Sequence, residues 1–233
     1  MTNEEEERRG AVALVSGGLD STVAVALSFE TFRLERGLFF DYGQHAAREE
    51  YRCAGRVADR YGMPLERIEL PWMARFSRSA LIRGKSEPPD PESPDPGGRS
   101  RSQAVWVENR NGVFVDIAAS IAASIGCGAV IAGFNAEEAE DFPDNSERYI
   151  DAINRALALG TSVGVEVVSP TIRMTKGEIV REGLRLGIPW SDLWSCYRSG
   201  DAMCGRCESC IRLKNAVAGT AASGIVHFER KQG

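Results

Sequence analysis

Val15-Ser16-Gly17-Gly18-Leu19-Asp20-Ser21-Thr22 is the stretch that decides the fold of this 233-residue chain. It begins at the last residue of a short apolar run, residues 11–15, and precedes an apolar helical stretch, residues 23–29. A strand, a glycine-rich turn and a helix in this order direct backbone N–H groups and the positive end of a helix toward an anion. The adjacent glycines let the backbone approach a phosphate without obstruction by a Cβ atom. The stretch therefore predicts a nucleotide phosphate site in an α/β fold.

The side chains of this loop have distinct predicted roles. Ser16, Ser21 and Thr22 carry hydroxyl groups that can donate hydrogen bonds to phosphate oxygens. A carboxylate repels phosphate, so Asp20 is interpreted as a ligand of Mg²⁺, which would bridge and neutralise the phosphates. The loop is not a Walker A sequence, because it lacks the Gly-x-x-x-x-Gly-Lys pattern. The alternative is an ordinary glycine-rich turn whose serines cap the next helix.

Downstream of the loop, predicted strands and helices alternate. Further strands are predicted at 37–41, 65–70, 129–133 and 165–169, and helices at 44–61, 112–126, 145–159 and 175–186. The last helix has a capping-box pattern, Thr175 followed three residues later by Glu178. This alternation predicts a Rossmann-like parallel sheet with helices on both faces.

Residues 84–102 interrupt this alternation. Five prolines fall between positions 88 and 96, among serine, aspartate and glycine residues. Such a composition buries little apolar surface, so we predict a mobile loop. Two roles stay open for it: an inert insertion, or a lid that becomes ordered over a bound substrate.

Four of the six cysteines lie within 15 residues, at Cys196, Cys204, Cys207 and Cys210. Two-residue gaps let neighbouring thiolates bind one tetrahedral ion, and a longer loop can supply the fourth ligand. A closed, structural zinc site is favoured, with an iron–sulfur cluster as the main alternative and free thiols or disulfides less favoured. Cys53 and Cys127 are interpreted as small buried residues. We expect a flexible tail at 1–10, a nucleotide-binding α/β domain at 11–190 and a zinc-binding segment at 191–233.

Bulk composition narrows the choice of partners. The formal net charge is −5 and the pI is about 5.3. A protein that binds a polynucleotide usually has a basic surface, so we expect a small-molecule substrate and no nucleic acid. No apolar run approaches the roughly 20 residues that cross a bilayer, and the Glu-rich N-terminus has no apolar signal region. These features predict a cytoplasmic protein with no membrane partner.

Seven further motifs, in order along the chain, resemble one family. They are Phe40-Asp41-Tyr42-Gly43-Gln44-His45, Asn109-Arg110-Asn111-Gly112-Val113-Phe114, Gly133-Phe134-Asn135-Ala136-Glu137, Phe142-Pro143-Asp144, Thr175-Lys176-Gly177-Glu178-Ile179, Trp194-Ser195-Cys196-Tyr197 and Cys204-Gly205-Arg206-Cys207-Glu208-Ser209-Cys210. The loop at 16–22 is similar to that of the PP-loop, or N-type, ATP pyrophosphatases. Together the motifs resemble the 7-cyano-7-deazaguanine synthases from residue 12 to about residue 217.

That resemblance implies a reaction. The family converts 7-carboxy-7-deazaguanine, ammonia and ATP into the nitrile precursor of queuosine and archaeosine. ATP activates the carboxylate by adenylylation, ammonia gives an amide, and a second activation allows dehydration to the nitrile. The resemblance also implies ATP, Mg²⁺ and one Zn²⁺ per chain, and a homodimer.

The resemblance further implies roles for residues near the nucleotide. Residues 15–22 would bind the ATP phosphates, and three residues after the second strand would lie beside the nucleotide: Tyr42, Gly43 and Gln44. Arg110 and Lys176 would stabilise charge at the transferred adenylyl group, together with Asp20 through its metal ion. Two alternatives remain open, an exposed surface position for Lys176 and a purely structural contact for Arg110.

A second group of residues would bind the deazaguanine base. Asn135 and Asp144 would form hydrogen bonds with its polar edge, and Phe134 and Phe142 would stack on its ring. Phe142 could instead belong to the core, and Asp144 could be the N-cap of the next helix. This chain departs from many relatives at Asn145, where they have a cysteine beside the residues that would bind the base.

Other functions compete with nitrile synthesis. A close relative could join the deazaguanine carboxylate to another amine, including one on a protein. A tRNA sulfur-transfer enzyme would need a reactive thiol near the ATP loop, and Cys53 is the only cysteine in the first half of the chain. A nucleotide sensor stabilised by zinc would not need Asp20 as a metal ligand.

Overall fold

The computed structural model of the chain describes residues 8–92, 95 and 97–229. Within these residues, five parallel strands form one sheet: β1 (Gly10–Leu14), β2 (Arg33–Asp41), β3 (Leu65–Glu69), β4 (Ala129–Ile131) and β5 (Glu166–Val168). Their order is β3-β2-β1-β4-β5, so the direction of chain progression reverses beside the central strand β1. Ligands of such sheets bind outside the carboxyl ends of the strands at this reversal. The predicted parallel α/β fold is confirmed.

Nine α-helices are present in the described residues. They are α1 (Leu19–Ser28), α2 (Ala47–Arg60), α3 (Pro71–Phe76), α4 (Arg101–Val105), α5 (Arg110–Ser124), α6 (Ala136–Asp141), α7 (Glu147–Gly160), α8 (Lys176–Arg185) and α9 (Glu208–Val217). None of the helices in the described part of the chain is both long and apolar enough to cross a bilayer.

Successive side chains of a strand point to opposite faces of the sheet. Each face of this sheet is covered by helices. On one face, Val12 and Leu38 belong to an apolar cluster that includes the buried alanines of α5. On the other, Ala13 and Phe39 pack in a cluster with buried residues of α1 and α2. Leu38 and Phe39 are neighbours in β2 and point to opposite faces. Leu38 is fully buried and Phe39 is 1% exposed, so each face of the sheet has its own apolar core.

The helix boundaries confirm some details and correct others. The predicted capping box is present, since the Thr175 side chain accepts from the Glu178 N–H and Glu178 accepts from the Thr175 N–H. The alternative of Asp144 as a helix N-cap is wrong, because α7 begins three residues later and is capped by Ser146. Strand β2 starts at Arg33, four residues before the predicted start at Gly37. The first strand begins at Gly10, inside the predicted tail, and residues 1–7 of that tail lie outside the described residues.

The proline-rich segment, residues 84–102, contacts the C-terminal segment around Asp90 and through an ion pair of Arg101 with Glu208. Asp90 is 3% exposed, and its Oδ2 accepts from Arg198 Nη2 at 3.1 Å and from Arg206 Nε at 3.1 Å. Arg198 also donates to the Pro88 carbonyl. Residues 93, 94 and 96 of the segment lie outside the described residues, and its mobility stays a prediction.

The C-terminal segment shares a core with the phosphate-loop helix. Leu19 and Val23 of α1 belong to one apolar cluster with Trp194, the four clustered cysteines and Leu213 of α9. The Trp194 N–H donates to the Gly17 carbonyl at 2.9 Å. The C-terminal segment therefore forms part of the wall around the glycine-rich loop at residues 16–22.

Candidate active site

The glycine-rich loop is held in shape by its own serines. Ser21 Oγ accepts from the Ser16 N–H at 3.2 Å, lies 3.0 Å from Ser16 Oγ and donates to the Gly18 carbonyl at 3.2 Å. Gly17 has a φ of +75°, and a Cβ atom there would lie 2.6 Å from the Glu50 carbonyl oxygen in α2. Any larger residue at Gly17 would therefore push α2 away from the loop.

A cavity of about 240 Å³ opens beside this loop at the carboxyl ends of the strands. Ten residues predicted for the ATP and adenylyl chemistry line it: Val15, Ser16, Gly18, Leu19, Asp20, Ser21, Tyr42, Gln44, Arg110 and Lys176. Gly17, Thr22 and Gly43 do not line it. Thr22 is fully buried and its hydroxyl donates to the Gly18 carbonyl at 2.8 Å, while Gly43 has a φ of +87° in a turn. These three residues shape the backbone around the cavity.

Lys176 forms a buried ion-pair network at the cavity wall. Its Nζ lies 2.5 Å from Asp20 Oδ2 and 3.1 Å from Glu138 Oε1, and the residue is only 8% exposed. Burial acts to lower the pKa of Lys176, but Asp20 and Glu138 outweigh it and hold that pKa above its usual value. The surface alternative for Lys176 is therefore wrong. A permanent positive charge at this position suits a phosphate or a developing adenylate.

The two carboxylates of this network differ. Burial raises the pKa of Asp20 although Lys176 opposes it, whereas the attraction of Lys176 and nearby arginines overcomes burial and lowers the pKa of Glu138. Asp20 Oδ1 is buried and has no hydrogen-bond partner among the described residues. A buried carboxylate oxygen without a partner in this glycine-rich loop fits a Mg²⁺ ligand, since burying such an atom is costly unless a cation or a donor contacts it.

Arg110 is positioned by a strained turn at the start of α5. Asn109, the N-cap, has a φ of +49°, the only positive value among the described residues other than glycine. A glycine is required at position 112, in the first turn of α5, because a Cβ atom on Gly112 would lie 2.3 Å from Asn109 Oδ1. Arg110 donates to Tyr42 Oη at 3.1 Å, and its guanidinium lies 5.6 Å from the centre of the Tyr42 ring. This contact fixes the Arg110 side chain against the residue that follows strand β2.

A second cavity, of about 110 Å³, adjoins the first. Six residues line both cavities: Leu81, Arg110, Glu138, Lys176, Tyr197 and Ser209. The second cavity adds Trp106 and Phe142, whose ring centres are 5.4 Å apart, together with Asp144 and Arg212. Burial raises the pKa of Asp144, and Arg110 partly opposes this.

Three of the four residues predicted for the base line a cavity, and one does not. Phe142 and Asp144 line the second cavity, and Phe134 lines the first. Asn135 lines neither: its Oδ1 accepts from the Glu138 N–H at 3.0 Å as the N-cap of α6. Direct contact of Asn135 with a base is therefore not supported by its position, and its side chain instead fixes the backbone of Glu138.

Several lining residues were not predicted. Glu50 of α2 lines the first cavity, accepts from Gln44 Nε2 at 2.9 Å, and has its pKa raised to about 7 by burial. Glu138 lies one residue beyond a motif that was recognised. Tyr197 and Ser209 stand next to Cys196 and Cys210 in the sequence, where the cysteines drew the interpretation toward metal binding. The available signal was that Glu138 adjoins one of the seven motifs and that Tyr197 and Ser209 lie inside two others.

The four clustered cysteines have the arrangement of a metal site. All four are buried and their Sγ atoms lie within 4.8 Å of one another, with Cys196–Cys207 at 4.0 Å and Cys204–Cys210 at 3.9 Å. Tetrahedral zinc with Zn–S bonds of about 2.3 Å requires S···S distances of about 3.8 Å. The residues present therefore fit one zinc ion. Cys53 and Cys127 are each 1% exposed, and burial raises the pKa of both thiols, as expected of core residues.

A parallel sheet with a glycine-rich loop after its central strand and two joined cavities at the chain reversal defines a nucleotide-binding α/β protein. The family model described as "Queuosine biosynthesis protein QueC" matches residues 10–220. The chain belongs to this family, which confirms the family predicted from the motifs.

Named relatives agree with this assignment. The chain is 46% identical over 212 residues to the 7-cyano-7-deazaguanine synthase of Carboxydothermus hydrogenoformans, a match that covers 90% of this chain and 98% of that protein. It is 40% identical over 213 residues to the synthase of Methanosarcina mazei, covering 88% and 92%. A crystal structure of a 4-thiouridine synthetase with RNA and bound ATP is similar over 90% of this chain and 50% of that chain, at 22% identity and a TM-score of 0.48. The last likeness says nothing about the substrate.

Proposed function

We propose that this protein uses ATP to convert 7-carboxy-7-deazaguanine and ammonia into 7-cyano-7-deazaguanine through an adenylated intermediate. The observation that carries the proposal is the pair of joined cavities, one built on an anion-binding loop and the other on aromatic and acidic side chains. Arg110 and Lys176 line both cavities, so they stand where a carboxylate would meet the α-phosphate. The names of the relatives supply the substrate class.

The first cavity would hold ATP. The hydroxyls of Ser16 and Ser21 and the N-terminal end of α1 would face the phosphates. Mg²⁺, held by the unpartnered oxygen of Asp20, would neutralise phosphate charge in this cavity. Lys176 would exchange part of its contact with Asp20 for a phosphate oxygen. Glu138 would keep Lys176 Nζ at the boundary between the cavities.

The second cavity would hold the deazaguanine. Trp106 and Phe142 offer aromatic faces for a planar bicyclic ring. Asp144 can accept hydrogen bonds from the N–H groups on the guanine-like edge, and the 7-carboxylate would then face Arg110 and Lys176. An oxygen of this carboxylate attacks the α-phosphorus, the bond to the bridging oxygen breaks, and pyrophosphate leaves. Positioning and charge stabilisation by the two cations supply the catalysis.

The cysteine cluster would hold one structural zinc ion. Its four thiols are buried, with exposures of 8% for Cys204 and at most 1% for the other three, which leaves no open position for a substrate. The cluster lies in the same apolar core as Leu19 of α1, so metal binding would hold the C-terminal wall of the first cavity in place.

We also infer a cytoplasmic homodimer that acts without a nucleic acid partner. The family resemblance predicts the dimer, and the net charge of −5 disfavours a polynucleotide substrate. Light scattering coupled to size-exclusion chromatography would measure the oligomeric state, and a monomer at working concentration would contradict this part of the proposal.

The experiment that tests the reaction is product analysis by mass spectrometry. The purified protein is incubated with ATP, Mg²⁺, 7-carboxy-7-deazaguanine and ammonium, and the base and nucleotides are analysed together. We expect the nitrile, with AMP formed in proportion. Accumulation of the amide alone, or reaction only when another amine is supplied, would identify the alternative relative. Thiolation of tRNA would contradict the proposal, and it is disfavoured because Cys53 is buried with a raised pKa.

A further inference from the structure

The amine donor must reach the atom at which the two other substrates are joined, and this inference rests on the proposed function. The activated carboxyl carbon is bonded to the base on one side and, through oxygen, to the AMP phosphate on the other. It therefore lies where the two cavities meet. The side chains within reach of this carbon are those that line both cavities: Leu81, Arg110, Glu138, Lys176, Tyr197 and Ser209.

These six side chains divide by their chemistry. Arg110 and Lys176 are cations and suit the phosphate, and Leu81 is apolar. The remaining three carry oxygen atoms. Neither the Tyr197 nor the Ser209 hydroxyl forms a hydrogen bond with another residue in the part of the chain that the structure describes. Glu138 binds Lys176 through Oε1 at 3.1 Å, and its Oε2 has no hydrogen-bond partner within the same residues. Three oxygen acceptors are thus available at the junction.

We propose that Glu138 Oε2 and the hydroxyls of Tyr197 and Ser209 form the ammonia-binding site of this enzyme. Ammonia arrives mostly as ammonium at neutral pH, a small cation with four N–H donors. One carboxylate and two neutral hydroxyl oxygens compensate its charge and accept its hydrogen bonds. Bound ATP compensates part of the charge of Arg110 and Lys176, so Glu138 can hold Lys176 through Oε1 and bind the ammonium ion through Oε2.

The backbone that carries Glu138 is fixed in place. Its N–H donates to Asn135 Oδ1 at 3.0 Å, and the neighbouring Glu137 accepts from the Lys176 N–H at 2.7 Å. The start of α6 is therefore tied to the start of α8 by main-chain and side-chain contacts. The buried Asn135 thus positions the residue that binds the amine.

The step balances with the groups present. Bound ammonium gives one proton to Glu138, and the nitrogen lone pair forms a C–N bond at the activated carboxyl carbon. The bond between this carbon and the phosphate-linked oxygen breaks, and AMP leaves with the bonding electrons. The nitrogen gives a second proton to water, which leaves a primary amide, and Glu138 returns its proton to solvent. No oxidant or reductant is needed.

The test separates adenylylation from amine transfer. ATP–pyrophosphate exchange that depends on the base measures the step before ammonia reacts, and amide or nitrile formation against ammonium concentration gives the KM for ammonium. In Glu138→Gln we expect this KM to rise by at least about tenfold, and by a larger factor than exchange falls, because the glutamine oxygen can still accept from Lys176 Nζ but cannot compensate the charge of ammonium. Tyr197→Phe and Ser209→Ala should each raise the KM by about threefold. Glu140→Gln, exposed on the same helix, should change neither quantity.

Three other results would contradict either the ammonia site or the proposed function. If Glu138→Gln slows exchange by about tenfold or more and keeps its KM for ammonium, Glu138 only holds Lys176, and the ammonia site is wrong. If Glu138→Gln does not fold, unchanged KM values in both Tyr197→Phe and Ser209→Ala overturn the site. If the wild type shows no exchange that depends on the base, the proposed function itself fails, and the ammonia site falls with it.

Discussion

Replacing Lys176 by methionine should destabilise the protein in a way that depends on pH. The substitution keeps most of the aliphatic volume but removes the cation that Asp20 and Glu138 share. Breaking a buried ion pair by removing one partner costs about 3–5 kcal/mol. The side chains of Asp20 and Glu138 are 18% and 31% exposed, so we expect the lower end, about 3 kcal/mol at pH 8. For a chain of this size that corresponds to a fall in Tm of about 6–12 °C.

The loss of stability should shrink at acidic pH. In the wild type the pKa of Glu138 is lowered, so its contribution is complete above the unfolded value of 4.5 and is lost as pH falls. Without Lys176, burial and mutual repulsion raise the folded pKa values of both carboxyls, so the variant loses stability as pH rises through them. The difference between the two proteins is therefore larger at pH 8 than at pH 5.

Urea unfolding at these two pH values measures the difference directly. Lys85→Met is the matched control, because Lys85 is exposed and its replacement should change stability by no more than about 0.5 kcal/mol. An equal loss for Lys176→Met at pH 5 and pH 8 would refute the electrostatic reasoning, since lost packing alone does not titrate.

Three further predictions concern the metal ions and the proline-rich segment. Asp20→Asn should leave the fold intact and lower turnover by about 10²-fold or more, because it weakens the Mg²⁺ ligand; near-normal activity would remove Asp20 from the chemistry. Cys207→Ser should lose the bound metal and the melting transition together, whereas Cys53→Ser should keep both, because a structural metal contributes on the order of 10 kcal/mol; elemental analysis beside calorimetry decides. Asp90→Asn should speed proteolytic cleavage within 84–102 relative to the wild type, since it weakens contacts with two arginines; equal cleavage rates would show that these contacts do not hold the segment.

Local signals were sufficient for much of the fold. The strand, loop and helix at 10–28 and the capping box of Thr175 and Glu178 are set by residues within a few positions of one another. Helices α3, α4 and α6 were missed because they have only five or six residues, too few to show an amphipathic period. Residues 33–36 were missed because this part of β2 is only half buried and carries alternating charges.

The candidate site was harder to predict because it depends on distant contacts. Asp20 and Lys176 are 156 positions apart and meet only through the packing of α1 against α8. Glu138, Tyr197 and Ser209 belong to three further segments, and nothing in their spacing shows that they face one cavity. Asn135 was predicted to bind the base because amides suit a purine edge, but the helix that it caps had not been foreseen.

The contact between Trp194 and Gly17 has a consequence for how the protein is made. The residues that line the first cavity run from Leu14 to Leu213 along the sequence. A nascent chain on the ribosome can form the early strands, but it cannot complete this wall until α9 has left the exit tunnel. Closing such a long loop is slow, because its entropy is lost before its contacts form. Nucleotide binding should therefore appear only after α9 has left the exit tunnel, and a chain that stops before residue 213 would leave its phosphate loop open to water.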